Sequence, residues 1–463
     1  MDVIEIIQTK RDGGALTGEQ IEWFIKNFSE GGYIPDEQAA ALAMSIFFNG
    51  MEPEELTNWT KAMVDSGVTL DLSDVGKKTV DKHSTGGVGD KVSLVLVPLI
   101  ASCGLAVPQL SGRGLGHGGG TLDKMEAISG WTASLSEEKM LTQLREIGGI
   151  IAAANENINP ADRRLYALRD VTHTVDSIPL IASSIMSKKI AEGTEALVLD
   201  VKTGSGAFMV SFEQARLLAE TMVELGENSG MRTVALITSM ETVLGNSAGN
   251  ALEVSESIEV LEGGGPEDLI EVTLALAQEM LELCEVDLDP REMLASGKPR
   301  EVFERMVSAQ GGDLSKGLPV AKYKKTVDAL DTGYLSKLDC RSVGFAAWRL
   351  GAGRAKKEDS VSPTAGVVCM YKPGDYVNKG EPILELHGDE EDCFDSAIEA
   401  VRIAITYMTP VILLSDLYVA NGSEPWQIPN VADLSAIENK FADLAEEFLS
   451  YKRDPVTLAR TQA

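Results

Sequence analysis

The sequence predicts an α/β protein: a small all-helical part, then a large α/β part with a mostly parallel sheet, then an α+β part at the C-terminal end. Three observations carry this. Helical periodicity fills residues 1–65. From about residue 77, short strand-like runs end in glycine-rich turns that open onto helices. After about residue 330 the pattern changes to short antiparallel-looking strands. In the first part, Thr17 and Gln20 form a capping-box pattern ahead of Ile21, Phe24 and Ile25. A second helix runs from about Pro35 to Phe48 and stops at Asn49-Gly50. In the second part the strand candidates are Thr79–Asp81, Ala106–Pro108, Gly149–Ala153, Glu195–Val201 and Arg232–Thr238. Alternation of strand and helix implies ligands at the strand carboxyl ends. In the third part, Ala365–Val368, a Lys-Pro-Gly-Asp turn at 372–375 and Pro382–Leu386 read as antiparallel strands, and a helical tail is expected to close the chain.

Composition narrows the function classes. A chain of 463 residues with 44% hydrophobic content has material for two or three cores. With 41 basic and 71 acidic side chains its formal charge is -30, which repels nucleic acid and anionic membranes, so neither is expected as a partner. Cys103, Cys284, Cys340, Cys369 and Cys393 are scattered without metal-ligand spacing. They read as reduced thiols of a cytoplasmic protein, and no metal site is expected. The apolar run from Val92 to Cys103 is too short to span a bilayer and contains Ser93 and Pro98.

Chemistry concentrates in the turns. Asp81-Lys82-His83-Ser84-Thr85-Gly86-Gly87-Val88-Gly89-Asp90-Lys91, with Ser93 beyond, sets ammonium groups, hydroxyls and free backbone amides between a strand and a helix, which is what a phosphate requires. It lacks the spacing of a nucleoside-triphosphate loop. Ser111–Asp123 has the same character. It contains Gly114-x-Gly116-x-x-Gly119, but the strand before it is short and interrupted by Pro108, so hydroxyl donors Ser111 and Thr121 on a phosphate loop fit better than a dinucleotide site. Arg169, Ser184 and Lys188 form a third group, and the last two share a helical face at i, i+4. On its own that group reads equally as a solvated helix. Of four histidines, His83 is the one set between Lys82 and Ser84 in the first loop.

Lys82–Asp90, Ser111–His117, Gly119–Glu126, Tyr166–Thr172, Ser187-Lys188-Lys189, Val201–Ala207, Gly249–Glu253 and Gly351-Ala352-Gly353-Arg354 resemble, in order and spacing, the thymidine/pyrimidine-nucleoside phosphorylases, from Ile4 to about Glu385. The resemblance implies a homodimer with a helical domain at 1–66 and 160–194, an α/β domain at 67–159 and 195–330, and an α+β domain at 331–463. It implies phosphate on Lys82, Ser84, Ser93, Ser111 and Thr121. The pyrimidine would be held by Arg169, Ser184 and Lys188, with His83 at its 2-carbonyl and Leu115, Tyr166 and Phe208 as apolar walls. His83, Arg169 and Lys188 would stabilise the departing base, and domain closure would exclude water. No cofactor is implied, inorganic phosphate being a substrate.

Three positions depart from the family. Gly118 stands where relatives have Thr, removing a hydroxyl. Lys91 stands where many bacterial relatives have a Thr that helps bind a structural potassium ion, so its ammonium is expected to replace that cation. Gln109 stands where broad-specificity members carry Lys and thymidine-specific ones Met. This leads to an expectation of deoxynucleoside preference with some uridine turnover. The competing readings are a related phosphoribosyltransferase, which would need a metal–pyrophosphate site, a nucleoside monophosphate phosphorylase, which would need further basic groups, and a nucleoside-binding protein with lost activity.

Overall fold

The computed structural model describes residues 1–395 and 398, apart from 30–32, 115, 117, 155–156, 355 and 357–358. Residues Met1–Glu390 form one compact unit. The expected helical tail lies outside the described residues.

Four helices open the chain: α1 (Val3–Arg11), α2 (Gly18–Ser29), α3 (Asp36–Asn49) and α4 (Pro53–Asp65). The capping box forms, with the Thr17 amide donating to Gln20 Oε1 at 2.9 Å and the Gln20 amide to Thr17 Oγ1 at 3.2 Å. Gly50 ends α3 at φ +67, where a side chain would be strained. The apolar faces meet on Phe24, which stacks on both Phe28 and Trp59.

The chain then runs through β1 (Val80–Ser84), α5 (Val92–Ser102), β2 (Val107–Ser111), α6 (Thr121–Glu126), α7 (Glu137–Glu146), β3 (Gly149–Ala153), α8 (Pro160–Val171), α9 (Ile178–Ala191), β4 (Ala196–Thr203), α10 (Phe212–Asn228), β5 (Arg232–Ser239), β6 (Ser247–Gly249) and α11 (Asn250–Leu261). Strands β1, β4 and β5 pair in parallel, as do β2 and β3. The two sets are stitched where the Val80 amide donates to the Ala106 carbonyl and the Ala106 amide to the Lys78 carbonyl, giving the order β3-β2-β1-β4-β5. Pro108 does not interrupt β2 as expected. It lies within the strand, opposite Ile150, and its neighbours carry the ladder. The apolar run at 92–103 is α5, with every residue from Val92 to Ala101 buried. No helix among the described residues is long and apolar enough to cross a membrane.

Helix α8 and the start of α9 return to the first core, where Ala161, Leu165, Leu168 and Leu180 pack with Phe24 and Trp59. Further along α9, Ala182, Ile185 and Met186 pack with Leu197, Leu199 and Val201 of β4. α9 is apolar on two sides because it serves two cores, and this wedges its polar residues between them.

Helices α12 (Glu267–Leu283), α13 (Pro290–Ala295) and α14 (Lys298–Ala309) complete the cover of α5. The last part holds β7 (Tyr323–Asp328), β8 (Gly333–Tyr334), α15 (Cys340–Ala347), β9 (Gly366–Cys369), β10 (Tyr376–Val377) and β11 (Pro382–Gly388). Its antiparallel sheet, β6-β9-β11-β7, takes two strands from before residue 330.

Candidate active site

A cleft of about 510 Å³ opens at the carboxyl ends of β1 and β2. Lys82, His83, Ser84, Ser93, Ser111, Thr121, Tyr166, Arg169, Ser184, Lys188 and Phe208 all line it, so the structure brings together residues from three separate motifs. Of the expected site residues only Leu115 lies outside the described residues.

Strand geometry sorts the first motif. Side chains alternate across a sheet, so Lys82 and Ser84 share one face of β1 while Asp81 and His83 share the other. The same rule puts Gln109 beside Ser111 on β2.

On the first face, buried Lys82 lies 3.8 Å from Asp200, which pairs with Lys202 at 2.7 Å. Ser84 Oγ donates to Asp90 and accepts from the Gly86 amide at 3.1 Å. Lys124 pairs with Glu253 at 2.9 Å and donates to the Asp90 carbonyl. Burial alone would raise the Asp90 pKa. The charges of Lys82, Lys202 and Lys124, with the Ser84 hydroxyl, outweigh it and hold this carboxyl well below the usual range. Lys82, Lys124 and Lys202 are thus balanced by Asp90, Asp200 and Glu253, so this face carries little net charge.

On the second face, α9 presents Ser184 and Lys188. The Lys188 ammonium donates to Asp162 at 2.7 Å and to Ser184 Oγ at 3.2 Å, and it sits 5.8 Å from the Tyr166 ring centre. Arg169 is buried, and its guanidinium donates to the carbonyls of Thr174, Val175 and Leu180. Three of its five N–H donors are spent on holding the α8–α9 connection. Tyr166 and Phe208 line the cleft and are 44% and 50% exposed.

The His83 imidazole makes no side-chain hydrogen bond among the described residues. Burial first, then the charges of Lys189, Lys188 and Lys82, push its pKa well below the ordinary 6.5, so it is neutral at pH 7. Below it, Lys189 pairs with Asp81 at 2.7 Å and Glu192 at 2.9 Å.

Lys91 lies apart from the cleft. Its ammonium is fully buried, donating to the carbonyls of Leu244 (2.8 Å) and Ser247 (2.9 Å) and to Glu256. Gln109 faces the cleft with its amide oxygen buried and unpartnered.

Sequence reasoning missed the supporting carboxylates Asp90, Asp162 and Asp200. A signal existed for the last: Asp200 and Lys202 are two apart in an otherwise apolar strand, and charges so placed must be paired.

The chain matches models described as "Glycosyl transferase family, helical bundle domain" over residues 4–67, "Glycosyl transferase family, a/b domain" over 76–291 and "Pyrimidine nucleoside phosphorylase C-terminal domain" over 334–408. A model described as "Pyruvate flavodoxin/ferredoxin oxidoreductase, thiamine diP-bdg" matches 382–462, mostly beyond the described residues. Thymidine phosphorylase of Mycobacterium tuberculosis is 54% identical over 397 residues, covering 86% of this chain and 92% of the relative. Pyrimidine-nucleoside phosphorylase of Bacillus subtilis is 45% identical over 428 residues, covering 89% of this chain and 99% of the relative. The crystal structure of anthranilate phosphoribosyltransferase from Thermus thermophilus superposes with a TM-score of 0.53 at 19% identity, over 67% of this chain and 99% of that one, a likeness of fold alone. At this identity, over nearly the whole length of its relatives, the chain belongs to the thymidine and pyrimidine-nucleoside phosphorylase family.

Proposed function

We propose that the protein catalyses reversible phosphorolysis of pyrimidine nucleosides, thymidine foremost, to the free base and the (2-deoxy)ribose 1-phosphate. The observation that carries this reading is the split cleft, with hydroxyls and Lys82 on one face of β1 and Arg169, Ser184 and Lys188 opposite the other. Phosphate would bind on Lys82, Ser84, Ser93, Ser111 and Thr121. A phosphate oxygen forms the new bond to the anomeric carbon as the carbon–nitrogen bond breaks and its electron pair leaves with the base. Negative charge grows on the pyrimidine ring, where Lys188 and the N–H groups of Arg169 not given to protein carbonyls would stabilise it. His83, being neutral, serves as a hydrogen-bond donor to the 2-carbonyl rather than as a charged acid. Closure of the helical part on the sheet would then exclude water. The test is release of base from thymidine with and without phosphate: release that ignores phosphate overturns the reading.

We also propose that Lys91 is a built-in replacement for a bound monovalent cation, supported by its two carbonyls and one carboxylate. Gln109, with its unpartnered amide oxygen, is proposed to face the sugar and bias the enzyme to deoxynucleosides. A cytoplasmic homodimer completes the proposal. Exposed Met44, Phe47 and Phe48 on α3 support the dimer, and the free thiols of Cys103, Cys284, Cys340 and Cys369 support the location; a monomer by light scattering would overturn the dimer.

A further inference from the structure

The Gly-Ala-Gly-Arg segment at 351–354 touches neither proposed substrate group, yet it is tied to the loop between them. Six of the nine residues from Gly112 to Gly120 are glycine, so that loop has few side chains of its own to hold it. Arg354 holds the loop's described residues Gly114 and Gly116. Its buried guanidinium donates to Asp123 at 2.6 Å, to the Gly114 carbonyl at 3.2 Å and to the Asp359 carbonyl at 2.9 Å. Its own carbonyl accepts from the Gly116 amide at 2.8 Å. The other oxygen of Asp123 takes the Gly114 amide at 2.7 Å. Gly353 lies so close that a Cβ there would meet the Gly116 carbonyl oxygen, whose displacement would shift the loop.

The strap is also anchored behind. Asn250 donates to the carbonyls of Ala352 and Ser362, and Glu253 on the same helix α11 holds Lys124. Consecutive residues Asp123 and Lys124 of α6 are therefore bound into one ring that runs through Arg354, Ala352, Asn250 and Glu253. Thr121 stands at the head of that helix and Ser111 at the other end of the loop.

We infer that Arg354 is a positioning residue for phosphate, setting the loop that carries Ser111 and Thr121 from the C-terminal part of the chain. The inference rests on the proposed phosphate site. Arg354 touches no reacting atom, so its loss should move the phosphate-binding groups while sparing the base grip on α8 and α9.

The test is steady-state kinetics of the full chain with Arg354→Met, Arg354→Lys and Asp123→Asn, varying phosphate and thymidine separately. Displacement of positioning groups by about an ångström costs up to roughly 10²-fold. Arg354→Met should raise the phosphate KM by about 10-fold or more with the thymidine KM unchanged. Arg354→Lys, which keeps the charge without the fork, should recover part of it. Unchanged phosphate KM in folded variants, or equal rises in both KM values, overturns the inference. Should the variants not fold, hydrogen exchange on the unmodified protein decides. Phosphate should slow exchange in 112–122 and 351–356 together, and protection confined to 112–122 overturns the coupling. Failure of the unmodified enzyme to release base with phosphate present counts instead against the proposed function.

Discussion

Replacing Lys91 by Met removes the only positive charge that the described residues place on Glu256. Glu256 would be left buried, still accepting the amides of Asn246 and Ser247 and the Ser247 hydroxyl, with the Leu244 and Ser247 carbonyls stripped of their shared donor. Breaking a buried pair from one side costs about 3–5 kcal/mol. The unfolding entropy of a compact unit of 390 residues is about 0.8 kcal/mol per kelvin, so melting should fall by about 4–6 °C if the unit unfolds as one. The assay is thermal unfolding of the unmodified protein, Lys91→Met and Lys91→Thr in potassium and in a bulky organic cation at equal ionic strength. Lys91→Thr should regain most of its loss in potassium alone, because two carbonyls and a carboxylate then face a vacated cation-sized space. The unmodified protein should not respond. A potassium-dependent rise in the unmodified protein, or no loss in Lys91→Met, refutes the reasoning.

Further outcomes follow from the cleft. Lys188→Ala removes a charge-stabilising donor and should lower kcat/KM for thymidine by about 10²–10³-fold, with the phosphate KM little changed in two-substrate kinetics. Gly118 has open space around its Cβ direction and no left-handed φ, so Gly118→Thr fits; a regained hydroxyl bond worth about 1 kcal/mol should lower the phosphate KM roughly fivefold. Gln109→Lys should raise uridine turnover relative to thymidine, as measured by competing substrates. His83 has a depressed folded-state pKa, so the unfolded chain binds more protons below pH 6.5. Its contribution to stability is full above that value and falls as pH drops through it, and comparing melting of the unmodified protein with His83→Gln between pH 5 and 8 should reveal the difference.

What was legible in the sequence was local. Glycine-rich turns between short apolar runs announced β1, β2 and β4, and the i, i+4 spacing of Ser184 and Lys188 survives as a hydrogen bond on α9. Expecting Pro108 to interrupt β2 gave too much weight to one missing donor, since a strand needs only part of its ladder at each residue. The remote pairings could not be read. Lys91 meets Glu256 and Arg354 meets Asp123 across 165 and 231 positions of the chain, and no local pattern encodes which buried charges will find each other. Nor did periodicity show that α9 serves two cores, because a helix apolar on two sides looks merely hydrophobic. The antiparallel sheet was only half visible for a similar reason: β6 has three residues and joins strands more than 100 positions away.

The most direct test of the account is to incubate the purified protein with thymidine and follow free thymine and sugar phosphate together. Thymine should appear only when inorganic phosphate is present, in equal amount to 2-deoxyribose 1-phosphate, and the reverse reaction should regenerate thymidine. Base release without phosphate, or no release with it, contradicts a cleft built to hold phosphate on one face of β1 and a pyrimidine on the other.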